Sequence, residues 1–226
     1  MNTIIVGAGG HGRVVLDIFR HAHNADPIGF VDGNPALQGQ SIDGLEVLAD
    51  TADLPALKAQ GVDSAIVAIG DNATRNMYAQ ALAANGIPLI NAIHPKASVA
   101  STARLGNNIV VAAGAVVCAH CRIADSAICN TASIVDHESI IGRAAHVCPG
   151  ARLAGRVNVD DFAFIGIGAT VIQCLSVVRG SIVGAGAVVL KDVAPFTTVV
   201  GVPARPIKEV AGTIEPTPAA KSLSIA

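Results

Sequence analysis

Aliphatic residues recur along the second half of the chain at a fixed interval of six: Val99, Leu105, Val111, Val117, Ile123, Cys129, Val135, Ile141, Val147, Leu153, Val159, Ile165, Val171, Val177, Val183 and Val189. Only Cys129 is not Val, Ile or Leu, so the period itself is specified rather than hydrophobicity in general. Four residues after most of these positions comes a small side chain, as at Ala103, Ala115, Cys121, Ala127, Ser133, Ala145, Ala151, Ala163, Ala169 and Ala187. The residue next to the aliphatic is often turn-prone: Gly106, Asn130, Asp136, Gly142, Asp160, Gly166, Gly184. One branched and one small buried residue per hexad predict short flat strands joined by tight corners, which is a parallel β-helix. Three hexads close one triangular coil, so residues 99 to about 194 make roughly five coils. A β-sandwich or α/β sheet whose strands fall in phase is the competing arrangement.

Ahead of the repeat the pattern changes. Thr3 to Val6 is a short apolar run ending in Gly7-Ala-Gly9-Gly10-His11-Gly12, after which Val14, Val15, Ile18 and Phe19 recur at helical spacing. Strand, glycine loop and helix start suit a phosphate, because glycines admit the anion and free N–H groups at the helix start face it. A second strand, Ile28 to Val31, ends in Asp32, where a dinucleotide fold places its ribose-binding acid. A third, Ser64 to Ile69, ends in Gly70-Asp71-Asn72; a helix follows to about Asn85, and Pro88 to Ile90 reads as the last strand. These supply about half the strands of a full dinucleotide fold, so the expectation is an α/β half-Rossmann-like domain holding one nucleotide. Glycines serving only a tight strand-to-helix turn are the plainer alternative. The predicted division is residues 1–92, the nucleotide-binding unit; 93–210, the all-β helix; and 211–226, a flexible tail with Pro216 and Pro218.

The charges, 15 basic against 17 acidic with no long run of either sign, argue against nucleic acid or an anionic membrane as partner. Hydrophobic content is 51%, but no stretch approaches the roughly 18 uninterrupted apolar residues of a membrane span. The opening MNTIIVGAGG lacks a basic segment followed by an apolar core, so a soluble, cytoplasmic protein is expected. The five cysteines fit reduced thiols. Cys118 and Cys121 bracket His120, yet Cys121 and Cys129 fall on inward places of the repeat, so core filling is expected and no metal site.

Polar residues interrupt the repeat in one stretch, Asn130-Thr-Ala-Ser-Ile-Val-Asp136-His137-Glu138, with His146 nine residues after His137. A histidine flanked by carboxylates suits general-base chemistry, because a nearby negative charge makes the imidazole a better proton acceptor. A surface histidine on a β-helix corner is the structural alternative.

That stretch, with Ile141-Gly142, His146-Val147, Gly150-Ala151, Ala154-Gly155, Ile165-Gly166-Ile167-Gly168-Ala169 and Gly201-Val202-Pro203-Ala204-Arg205-Pro206, resembles the left-handed β-helix (hexapeptide-repeat) sugar acyltransferases of bacterial surface-glycan pathways. Gly7 to Gly12, Phe30-Val31-Asp32, Ala68 to Asn72 and Asn91 to Pro95 are similar to the front domain of the subgroup that N-acetylates nucleotide-linked 4-amino-4,6-dideoxy sugars. That subgroup includes UDP-bacillosamine-pathway and GDP-perosamine N-acetyltransferases and, more distantly, sialic acid O-acetyltransferases. The resemblance implies a left-handed helix and transfer of acetyl from acetyl-CoA to the sugar 4-amino group, with His137 as general base and Glu138 tuning it. It further implies that His146, Gly155, Ile167 and Ala185 contact acetyl-CoA. Gly9, Gly10, His11, Asp32, Gly33, Gly70 and Asn130 would hold the nucleotide-linked amino sugar, in a homotrimer whose sites lie between chains. Lys191, Arg205 and Lys208, near the end of the helix, are candidates for the coenzyme phosphates, with a solvated basic edge as the plain alternative.

Two departures stand out. Gln173-Cys174-Leu175-Ser176 replaces the usual Pro-Gly corner and Val178-Arg179-Gly180 an Ile-Gly hexad start, so the coil there is expected to bulge and reshape the coenzyme groove. Asp136 and Glu138 both flank His137, leaving open which one orients the ring. An O-acetyltransferase of sialic acid or another sugar hydroxyl, and a non-catalytic sensor binding NAD or nucleotide, are the alternative functions.

Overall fold

The computed structural model describes residues 2–23 and 25–209. The front unit is a five-stranded sheet of β1 (Asn2–Val6), β2 (Asp26–Val31), β3 (Ser41–Ile42), β4 (Leu45–Ala49) and β5 (Ser64–Val67), in the order β3-β4-β2-β1-β5. All pairs are parallel except β3 with β4. Both faces are covered, which is why β1 reads as a continuous aliphatic run. On one side α1 (Gly10–Ala22) buries Val15, Leu16, Ile18 and Phe19 against Ile5, Phe30 and Ile66. On the other, α2 (Leu54–Leu57) and α3 (Asn72–Ala84) pack Leu54, Leu57, Ala79 and Leu82 on Ile4, Val6, Val31 and Val67. Nothing in the sequence pattern pointed to β4, because only Val47 of its five residues is buried. Gly12 is required where α1 crosses the loop: a Cβ there would overlap the Gly7 carbonyl.

From Ala92 onward the chain winds as a parallel β-helix whose two-residue strands pair with those 18 residues away, Val117 with Val135 and Val135 with Leu153. Three sheets form its faces. The first face carries Val110–Val111, Ile128–Cys129, His146–Val147 and Phe164–Ile165; the second Val116–Val117, Ile134–Val135 and Arg152–Leu153; the third Arg122–Ile123, Ile140–Ile141 and Asn158–Val159. The aliphatic and small positions of the hexads converge in one buried cluster, with Cys121 and Cys129 fully enclosed in it. Burial pushes the Cys129 thiol up to about 12, so it stays protonated and fills space.

The corners repeat as well. Asn108, Gly114, His120, Ser126, Ala132, Glu138, Ala144, Gly150, Arg156, Phe162, Gly168, Cys174, Gly180 and Gly186, each six residues on, all have positive φ. Each hexad turns at that residue, and the stacked ladders hold even side chains that rarely adopt it. The expected bulge at Gln173-Cys174 does not occur. Cys174 takes φ 61° like the other corners, its N–H donates to the Gly155 carbonyl, and Ser176–Val177 stays in register with Asn158–Val159. Backbone ladder bonds therefore set the corner without help from a Pro-Gly pair.

The front unit sits on the first face. Val15 and Phe19 of α1 share a buried cluster with Ala92, Val110, Ala112 and Ile128. Across the junction runs Arg75, fully buried, with Nε donating to Ser126 O, Nη1 to Ile69 O and Gly70 O, and Nη2 to Ala144 O and Asn72 Oδ1. Burial lowers its pKa to about 9, so it remains charged at neutral pH, with all five N–H donors used. The expected tail, 211–226, lies outside the described residues. Among the described residues no helix is long and apolar enough to cross a membrane.

Candidate active site

His137 stands on the corner between the second and third faces, its side chain 52% exposed. The flanking carboxylates divide the work. Glu138 reaches the ring, Oε2 lying 3.1 Å from Nδ1, whereas Asp136 Oδ1 accepts the backbone N–H of His137 at 2.7 Å. Glu138 therefore orients the imidazole and Asp136 holds the turn. With Nδ1–H donated to a carboxylate, the free lone pair resides on Nε2. Above the ring, one coil on, lies Gly155, and Gln173 follows another coil above.

Ile167 and Ala185 occupy a different edge, the corner between the first and second faces, 18 residues apart in the stack of Thr131, Pro149, Ile167 and Ala185. Ile167 is 58% exposed. Asn130 and His146 lie beside this edge, Asn130 Nδ2 donating to His146 Nε2 at 3.0 Å. His146 is buried, its ring edge-on to Phe164 at 5.3 Å and 6.4 Å from the His11 ring at the start of α1. Burial, then the Arg75 charge, then His11 depress the His146 pKa to about 3, with the Gly70 carbonyl acting the other way. Burial and Arg75 bring His11 down to about 4. Both rings are neutral at physiological pH. His11 Nε2 is buried without a hydrogen-bond partner, a polar atom at the junction that a ligand can satisfy.

The expected nucleotide-binding residues gather at the carboxyl edge of the parallel sheet. Gly9 caps α1 with no side chain over the helix start, and Gly9 and Gly10 are exposed. Asp32 accepts Ala8 N–H at Oδ2 and Asn34 N–H at Oδ1, both at 2.8 Å, so it pins the glycine loop as well as facing it. Gly33 lies against Thr51 Oγ1, where a Cβ would approach to 2.8 Å. Gly70 lies in the loop after β5, its carbonyl held by Arg75. Arg75 is the residue that sequence reasoning missed; its one signal is a place four before Ala79 and seven before Leu82, on the buried stripe of α3.

These residues thus fall into two groups. His137, Glu138 and Gly155 mark one corner of the helix, while His146, Asn130, Ile167, Ala185 and the glycine loop line the face or corner next to the front unit. A whole face separates them within one chain, on the order of 15 Å for about five residues of strand. Asp17, His21 and His94 form a third cluster, close enough to share an ion. His94 Nδ1 accepts the Lys96 N–H at 2.9 Å, however, which places the proton of the neutral ring on Nε2 and leaves no lone pair for a metal.

Known proteins share both units of this chain. Residues 2–82 match the PglD N-terminal domain family. GDP-perosamine N-acetyltransferase from Escherichia coli O157:H7 is 30% identical over 187 residues, covering 80% of this chain and 82% of the relative. Among solved structures, PerB from Caulobacter crescentus in complex with CoA and GDP-perosamine is 38% identical, with a TM-score of 0.87 over 92% of this chain and 98% of that one. The acetyltransferase domain of PglB from Neisseria gonorrhoeae FA1090, in complex with acetyl coenzyme A, is 36% identical, with a TM-score of 0.86 over 91% of this chain and 98% of that one. The fold is accordingly a Rossmann-like unit followed by a left-handed parallel β-helix. With the likeness running through both units, the chain belongs to the nucleotide-linked amino-sugar N-acetyltransferase family.

Proposed function

We propose that this protein transfers the acetyl group of acetyl-CoA to the 4-amino group of a nucleotide-linked 4-amino-4,6-dideoxy sugar. The observation that carries the reading is the His137–Glu138 pair, with Nδ1 tied to the carboxylate and Nε2 left as proton acceptor on an exposed corner. A thioester is already activated, so the chemistry asks for positioning and one base. The sugar nitrogen bonds to the thioester carbonyl carbon, Nε2 of His137 takes the proton released from that nitrogen, the C–S bond breaks, and the proton passes to the leaving thiolate. No metal enters this sequence. The nucleotide rests at the glycine loop, with Gly9, Gly10, His11, Asp32, Gly33, Gly70 and Asn130 around it.

The separation of the two groups of site residues supports a homotrimer. The histidine corner of one protomer meets the corner carrying Ile167 and Ala185 on the next, so that each site uses two chains and the coenzyme lies in the groove between helices. His146 and Gly155 then approach the coenzyme from opposite walls. A thiol-release assay with acetyl-CoA against UDP-, GDP- and dTDP-linked 4-amino-4,6-dideoxy sugars, with sialic acid alongside, tests the reading. CoA release with one amino sugar supports it and names the nucleotide. Release with sialic acid alone replaces it with O-acetylation.

A further inference from the structure

Gly155 has no backbone reason to be glycine. Its φ is not positive; the left-handed residue of that corner is Arg156, at φ 57°. What it supplies is space. A Cβ built on Gly155 would lie 2.5 Å from Nε2 of His137, 2.6 Å from Cε1 and 3.1 Å from Cδ2. Neither backbone can move aside cheaply. Arg156 N–H donates to His137 O at 2.9 Å below, and Cys174 N–H donates to Gly155 O at 3.1 Å above, so the corner is fixed from both neighbouring coils. Nor can the ring swing away without giving up the 3.1 Å contact between Nδ1 and Glu138.

We propose that Gly155 is a positioning residue for the base: the missing side chain is the seat into which the His137 imidazole fits while Glu138 holds Nδ1. The proposal rests on the reading of His137 as the general base, and it assigns Gly155 a role separate from contact with the coenzyme. The two roles come apart on substitution. A coenzyme contact made by the Gly155 backbone survives in alanine, whereas the seat is filled by a single methyl group.

The test is Gly155→Ala, alone and combined with His137→Ala. Side-chain NMR of histidine, with the His137 signals assigned by their loss in His137→Ala, reads the tautomer directly and does not depend on knowing the sugar substrate. The expected result is an Nδ1-protonated His137 in the wild type that loses this single state in Gly155→Ala. In the acetyl-transfer assay kcat falls by about 100-fold, as for a misplaced catalytic group, with KM for acetyl-CoA little changed and the pH–rate profile displaced. In the His137→Ala background the same substitution costs nothing further. If Gly155→Ala fails to fold, the double variant, which has no ring to clash, recovers the fold. Unchanged His137 signals in Gly155→Ala, a loss confined to KM for acetyl-CoA, or a double variant that also fails to fold each overturns the proposal. Failure of the parent reading looks different: wild-type protein releases no CoA with any amino sugar while the NMR result stands.

Discussion

Replacing Arg75 with methionine keeps the length of the side chain and removes every donor. Four carbonyls, Ile69, Gly70, Ser126 and Ala144, each lose a hydrogen bond of 2.7 to 3.0 Å, those to Ser126 and Ala144 buried and those to Ile69 and Gly70 half-buried. Leaving a buried carbonyl unsatisfied costs about 1–3 kcal/mol, so four such losses span about 4–12 kcal/mol; relief of burying a charge offsets part of it, and water reaching the half-buried carbonyls part of the rest. The expected loss is about 4 kcal/mol, within the range for removing one partner from a buried charged network. Urea unfolding at pH 7, followed by circular dichroism, gives the number from the midpoint and slope. Because the lost bonds span the two units, the front unit is also expected to unfold ahead of the β-helix, splitting one transition into two. Arg75→Lys recovers part of the loss, since three donors cannot reach all four carbonyls. A single transition within about 1 kcal/mol of wild type would refute the view that this guanidinium joins the units.

Substituting His137 by alanine is expected to lower kcat by about 100- to 10,000-fold without changing the assembly seen by sedimentation. Glu138→Ala costs less, about 10- to 100-fold, because the ring loses its orienting partner and not its lone pair; equal activity of Glu138→Ala and wild type would return the orienting role to Asp136. Lowering the pH destabilises the fold through His11 and His146. Their folded pKa values, about 4 and about 3, lie below the ordinary 6.5, so the unfolded chain binds more protons as the pH falls from 6.5 toward 3. The linkage amounts to about 2 kcal/mol for each ring by pH 5, and denaturation midpoints of His11→Asn/His146→Asn that fall as steeply with pH would contradict it. Mixing unfolded His137→Ala chains with Ile167→Arg chains and refolding them together restores about a quarter of wild-type activity if sites lie between chains, since random assembly pairs two intact halves at that frequency; no recovery from refolded trimers places each site within one chain.

Leu105, Val111 and Val117 show why so much of the architecture is readable in one dimension. Each is an inward residue of a hexad, and a chain that buries one side chain every six residues with a turn between has few other ways to pack. The front unit was legible for a similar reason at β1, α1 and β5, where aliphatic runs meet glycine. It was silent at β4, which pairs with β2 through backbone bonds and buries only Val47. Arg75 escaped notice because a charged residue in a helix ordinarily faces water, and only the carbonyls gathered from residues 69, 70, 126 and 144 make its burial favourable.

At the site, sequence named His137 and the two carboxylates beside it, since residue type and adjacency suffice to mark a base. It could not say that Glu138 takes the ring while Asp136 takes the backbone, because that choice depends on the left-handed turn at Glu138, φ 58°, which directs the two side chains differently. The count of hexads does set His137 a full face of the helix away from Ile167 and Ala185, because three hexads close a triangle and both residues stack above Thr131, one hexad before His137. The sequence by itself determined the period, and with it the 18-residue coil, the buried rows and the corner that carries the histidine, because inward positions and turns are properties of consecutive residues. Only the tertiary structure decided which atoms meet across coils and across the junction, the imidazole with the space at Gly155 and the guanidinium with its four carbonyls, because those contacts join residues 18 or more apart in the chain, or on opposite sides of a domain boundary, where no local pattern records them.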